Sequence, residues 1–161
     1  MDGRVLKRVF DLCLNALAQV GLALMVVTVF SQVVFRYVVH RPLMWSEELT
    51  KMTYLWLTFI GSTIATRDGA HISVDFFVQK ASRKTASPLK RFIVMVNTVF
   101  CLLIAYQAWM YAKTQAGIRS VALDIPLAWT TTGIVVGMTL MGIYHAILLI
   151  DDVARQRGSN R

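Results

Sequence analysis

Three stretches of this chain carry no charged side chain: Leu12 to Phe35, Phe92 to Ala112 and Ile125 to Ile150. Each is as long as the run of about 20 apolar residues that crosses the hydrocarbon core as a helix, the shape that pairs its own backbone groups where no water can. Each run therefore predicts a transmembrane helix. Between Glu48 and Arg67 lies a further, slightly shorter run, interrupted by Lys51 near one end, where its long stem can reach the interface. It predicts a fourth span, although taken alone it also suits a buried or re-entrant helix. Only 16% of the residues are charged, against about 25% in soluble domains. The expected fold class is an all-α membrane protein, one domain over 1–161 with four transmembrane helices at about 12–35, 49–66, 92–112 and 125–150.

Charge placement sets the expected orientation. Arg4, Lys7 and Arg8 precede the first run. Arg67, Lys80, Arg83, Lys84, Lys90 and Arg91 lie in the middle loop, and Arg155, Arg157 and Arg161 follow the last run. The other two loops hold only Arg36, Arg41, Lys113 and Arg119. By the positive-inside rule this bias predicts cytoplasmic N and C termini and a cytoplasmic middle loop. The net charge of +8 then reads as topology and contact with anionic membrane lipids. Nucleic acid is not expected as a partner, because the basic residues are split among three short segments. Trp45, Trp109 and Trp129, with Tyr37 and Tyr111, fall at the outer boundary, where indole and phenol rings favour the headgroups. Trp56 lies mid-span and reads as packing.

The first run is too long for a cleaved signal sequence and reads as a retained anchor. Cys13 and Cys101 read as buried free thiols, with neither a disulfide framework nor metal spacing. The middle loop, Arg67 to Arg91, contains "VDFFVQKASRK", which suits a short amphipathic helix on the cytoplasmic surface or an ordinary loop. Ser87-Pro88 reads as a break before the third span.

Chemistry-bearing motifs are missing: there is no phosphate loop, Cys pair at metal spacing or nucleophile elbow. No cofactor is expected in this chain, and it is not expected to be an enzyme. His145 reads as a hydrogen-bonded packing residue rather than a haem ligand. No carboxylate falls at the bilayer midplane, and no internal repeat or mid-span Pro marks a transport site. Asn15, Gln19, Gln32, Asn97 and Gln107 are candidates for hydrogen bonds between helices. Gly133 and Gly137, in "GIVVG", favour close helix approach against a partner the sequence does not identify.

One region is more specific. "FRYVVHRPLMWSEEL", a span with an internal glycine, and then "RDGAHISVDF" together resemble the small integral-membrane (DctQ-like) subunit of TRAP transporters, the tripartite ATP-independent periplasmic transporters. The resemblance rests on Arg36-Tyr37 ending the first span and on Trp45, Glu47 and Glu48 opening the second. It rests further on Gly61 within that span and on Gly69, His71 and Asp75 after it. It implies a multi-pass protein of the bacterial inner membrane, partnered by a large permease subunit and a periplasmic substrate-binding protein. The large subunit would move an organic acid with sodium, and the small one would join its static scaffold. No substrate or metal site is then expected in this chain.

Ser46 reads as an N-cap, with Glu47 and Glu48 in the first turn, where a carboxylate complements the helix dipole. The alternative pairs them with basic residues of a partner, making them contact residues; ion coupling fits interfacial acids least. His71 and Asp75 could order the cytoplasmic loop as i,i+4 neighbours or simply face solvent. Two other functions compete with the transporter subunit. A stand-alone four-span exporter would want a Glu inside the first span, which has none. The membrane anchor of a respiratory enzyme would show haem absorbance.

Overall fold

A computed structural model describes the backbone of residues 3–68 and 83–159, with side chains for 5, 8–68, 89 and 91–150. The described residues form four helices: α1 Gly3–Tyr37, α2 Met44–Arg67, α3 Arg83–Gln115 and α4 Ala128–Ser159. Gly69, His71, Asp75 and the expected surface helix lie outside the described residues.

The helices stand in the order α1, α2, α4, α3: each touches its neighbour in that row along the backbone, and α1 and α3 form the ends. α1 turns Asp11, Leu14, Asn15, Ala18, Gly21, Met25 and Thr28 away from the surroundings, a spacing of three and four that gives one helical face. Its opposite side, with Leu17, Val20, Leu24 and Val27, is exposed. α3 buries Cys101, Ala105, Ala108 and Ala112. Small side chains at that spacing let two backbones approach closely, which lipid-embedded helices need because lipid supplies no hydrophobic drive between them.

Glycines set the spacing along α4. A Cβ at Gly133 would lie 3.1 Å from the Trp56 ring. One at Gly137 would fall on the Cβ of Phe59, 3.1 Å from its backbone carbonyl carbon. Both glycines therefore face α2, which supplies the partner for "GIVVG". Gly142 faces α3, with Leu102 and Cys101 at 3.3 and 3.6 Å. Trp56 donates its indole N–H to the Trp129 carbonyl at 3.1 Å, and their rings stand 5.6 Å apart. Thr63 adds a hydroxyl contact to the Gly137 carbonyl at 3.3 Å.

Among the described residues, α1, α3 and α4 are long and apolar enough to cross a membrane. α2 has 24 residues, about 36 Å at about 1.5 Å per residue, but it carries Lys51 and many hydroxyls. Most of these are satisfied within the helix: Thr50, Thr58, Ser62, Thr63 and Thr66 each donate to the carbonyl four residues back, at 2.7–2.9 Å. Lys51 lies 3.2 Å from Glu47, in an exposed pair.

Several boundaries differ from the sequence expectation. The Ser87-Pro88 break is absent, because α3 already begins at Arg83 and runs through it. Helix therefore takes up the end of the expected middle loop. The last helix starts at Ala128, not Ile125, because Pro126 pairs back to Arg119 across a small hairpin. Cys13 is exposed, against the expectation of burial, whereas Cys101 is buried. His145 is buried at 1% exposure, its Nδ1 donating to the Met141 carbonyl at 2.8 Å.

Candidate functional site

The segment between α3 and α4 is short and tightly bonded. The Ser120 amide donates to the Ile125 carbonyl and the Leu127 amide to the Ile118 carbonyl, both at 2.9 Å. Arg119 Nη1 donates to both the carbonyl and the carboxylate of Asp124, at 2.9 and 3.1 Å. Asp124 turns the chain with φ of 54°, a left-handed conformation that a short polar side chain tolerates. The result is a hairpin with residues 121–123 at its tip.

Three successive amides at that tip have no partner within the hairpin, and Glu48 of α2 supplies one. Its Oε1 accepts from Val121 and Ala122 at 3.0 and 3.2 Å. Its Oε2 accepts from Ala122 and Leu123 at 3.1 and 3.0 Å. Consecutive amides converging on one anion form a nest, here filled by a side chain from 73 to 75 residues earlier in the chain. Burial acts to raise the Glu48 pKa, but the Ser120 hydroxyl and the tip amides outweigh it, and the net shift is downward. The clamp thus joins the start of α2 to the α3–α4 turn.

The expected N-cap is corrected by this geometry. Leu43 precedes the first helical residue in an extended conformation with no side-chain cap. Ser46 sits inside the first turn, wholly buried, and its hydroxyl donates to the Leu43 carbonyl at 2.7 Å. Because the helix begins at Met44, Ser46 lies within its first turn and its hydroxyl meets the Leu43 carbonyl rather than free amides. Glu47 remains in the first turn, where the dipole acts. Glu48 lies beyond it, its carboxylate held by amides from another element.

The opposite end of α2 carries a second polar junction. Arg67 donates from Nε and Nη2 to the two carboxylate oxygens of Asp68, at 2.8 and 3.2 Å. Nη2 also donates to Asn15 Oδ1 at 3.2 Å, and Nη1 lies 3.5 Å from Asp11. Tyr144 of α4 donates its hydroxyl to Asp11 at 3.2 Å. Arg67 is 13% exposed, so one guanidinium ties α1 and α2 together and, through Asp11, reaches α4. Its hydrogen bond holds the Asp68 carboxyl below the usual carboxylate range.

The other sequence candidates are distributed along the molecule. Arg36 and Tyr37 stand exposed in the last turn of α1, which is closed by His40 at φ of 57° and an Arg41 amide bonded to the Phe35 carbonyl. Trp45 is exposed near the start of α2. A Cβ at Gly61 would meet nothing within 4 Å, so the chain's own packing does not require a glycine there. Glu47 is brought to Lys51, and Glu48 to the hairpin. Asn15 was expected to bond between helices and does so, but its partner Arg67 and the parts played by Asp11 and Tyr144 were not foreseen. Their one shared signal is that Asp11 and Asn15 of α1, Arg67 of α2 and Tyr144 of α4 are polar groups at the same end of their helices. Among the described residues, no group of three metal-ligating side chains converges.

A family model described as tripartite ATP-independent periplasmic transporters, DctQ component, matches residues 25–155. The chain is 22% identical over 144 residues to the sialic acid TRAP transporter small permease protein SiaQ of Vibrio cholerae, covering 88% of this chain and 82% of that one. It is 31% identical over 90 residues to the C4-dicarboxylate TRAP transporter small permease protein DctQ of Pseudomonas aeruginosa, covering 52% and 41% of the two chains. It is 29% identical over 76 residues to the sialic acid TRAP transporter permease protein SiaT of Haemophilus influenzae, which is 47% of this chain and 12% of that protein. Apart from the Vibrio protein, the match spans less than half of each of these relatives.

Proposed function

Because the chain belongs to the DctQ component family of TRAP transporters, we propose that it is a non-catalytic scaffold for a large permease subunit. The large subunit moves an organic acid with sodium, delivered by a periplasmic substrate-binding protein. The observation that carries this reading is the family match over residues 25–155, which includes the Glu48 clamp and the glycine contacts between α2 and α4. SiaT supports the partnership: a segment similar to nearly half of this chain lies within a much longer permease protein. The named relatives serve different substrates, sialic acid and C4-dicarboxylates, as fits a subunit whose own residues do not select the cargo.

In this reading α2 is the fourth span. Its length suffices for a core of about 30 Å, and its back-bonded hydroxyls keep donors paired in lipid. Four crossings place both termini and the Arg67 end in the cytoplasm and the hairpin end in the periplasm of a bacterial inner membrane. Co-expression with a large TRAP permease subunit, followed by purification through a tag on this chain alone, tests the partnership. The two proteins should be recovered in near-equal amounts; recovery of this chain by itself from detergent and from nanodiscs would refute the scaffold role.

A further inference from the structure

The bonds that shape the α3–α4 turn are its own. The Ser120 amide meets the Ile125 carbonyl and the Leu127 amide the Ile118 carbonyl. The Ser120 hydroxyl accepts from the Ile125 amide at 3.4 Å, and the Arg119–Asp124 pair braces the side. With the left-handed residue at Asp124, this frame turns the amides of Val121, Ala122 and Leu123 toward one point, where the Glu48 carboxylate sits. Consecutive amides arranged in this way form an anion-binding concavity.

The seat also defines the chemistry of its ligand. Glu48 Oε1 accepts at 3.0 and 3.2 Å, and Oε2 at 3.1 and 3.0 Å. A planar anion with two oxygens on one carbon makes all four bonds; a halide has a single centre and does not. The Ser120 side chain, at 7% exposure, lies beside the same carboxylate. Arg119 and Asp124 cancel each other as a pair. The seat therefore offers neutral amides and a hydroxyl, which suit one negative charge better than two.

We propose that the α3–α4 turn is a preformed receptor for a small monocarboxylate and that Glu48 is its tethered ligand. A free formate or acetate then takes the seat once the Glu48 side chain is removed. In the intact chain the tether holds the Glu48 carboxylate at an effective concentration on the order of millimolar or above, so dilute free acids do not displace it. The joint between α2 and the turn is thus a ligand–receptor contact carried within one chain, and it is the same whichever side of the membrane the hairpin faces.

The test uses the full chain purified in detergent at pH 7, with amide hydrogen exchange read at 121–123. Glu48→Ala should exchange there on the order of tenfold faster than wild type. Sodium formate or acetate, titrated to about 100 mM, where a site of millimolar affinity saturates, should restore most of the lost protection. Sodium chloride at equal ionic strength should not. Glu48→Gln keeps a side chain in the seat, and neither it nor the wild type should respond to these salts. In Glu48→Ala the stem amides of Ser120 and Leu127 should stay protected after the acid is removed; their loss together with the tip would show that Glu48 builds the turn rather than fills it, and would overturn the proposal. Where Glu48→Ala is recovered poorly, acetate throughout purification should restore its yield, and chloride should not. Protection and yield that respond to acetate no more than to chloride would overturn the proposal, as would an equal response in Glu48→Gln.

Discussion

At Glu48 one carboxylate satisfies three backbone amides of a distant turn. The sequence made the acid conspicuous, because two carboxylates at the start of an apolar run need a reason, but it did not show the target. The amides of Val121, Ala122 and Leu123 have no side-chain signature, and they lie 73 to 75 residues away. Folding lowers the Glu48 pKa below its ordinary value of 4.5. Such a group stabilises the folded tip at pH values above 4.5 and loses that contribution as pH falls through the lower folded value. Amide hydrogen exchange at 121–123 should therefore be slow at pH 7 and pH 5, after correction for intrinsic rates. Protection should be lost as pH falls through that lowered value, below 4.5, and Glu48→Ala should speed exchange at pH 7 on the order of tenfold. Protection at 121–123 that is identical in the variant would show that the carboxylate does not hold the tip. Arg67 makes a parallel case. Arg67→Ala leaves Asp11 without its cation and removes the bond to Asn15, a loss of about 1–3 kcal/mol at a largely covered site. Arg67→Lys keeps the charge but not the planar fork and should recover only part of it. Chemical unfolding in detergent, followed by α-helical circular dichroism, checks both variants.

At the scale of elements, hydropathy located α1, α3 and α4 and gave the helical class, because charge-free runs of this length have few other solutions in water or lipid. The ends were less legible. Lipid sets where a helix stops being apolar, but hydrogen bonding sets where it stops being helical, so α1 and α4 run well past their charge-free cores. The start of α2 lies at Met44, with Leu43 rather than Ser46 at the N-cap position. Glycine shows the same division. "GIVVG" announced a close contact, and the structure supplies α2 as its partner, whereas Gly61 looks equivalent in sequence and faces open space. Gly137→Leu should therefore destabilise the α2–α4 pair by about 1–3 kcal/mol through overpacking against Phe59. Gly61→Ala should change the stability of the isolated chain by less than about 0.5 kcal/mol. Thermal unfolding of the two variants in the same detergent separates them. A Gly61→Ala loss as large as that at Gly137 would contradict the packing described.

For the whole molecule, the row α1, α2, α4, α3 leaves broad apolar sides exposed, as suits a scaffold wedged between lipid and a larger membrane protein. No periodicity in the sequence specifies that order; it follows from which faces carry Gly133, Gly137 and Gly142, and from Arg67 meeting Asn15. The family was legible because short motifs, Trp45-Ser46-Glu47-Glu48 among them, stand in this chain in the order on which the resemblance rests. The function of Glu48 was not, because a motif records residue types and spacing but no contacts. The charge bias predicts that cysteines placed at 40 or 119, in a variant lacking Cys13 and Cys101, react with a membrane-impermeant reagent from outside. A cysteine at 85 should not react in right-side-out vesicles, and labelling there would remove the fourth crossing. The central claim, that this chain supports transport without performing it, meets its most direct test in proteoliposomes under an inward sodium gradient. Uptake of an organic acid should appear only when this chain, the large permease and the binding protein are all present. Robust uptake by this chain alone, or undiminished uptake by the other two without it, would contradict that claim.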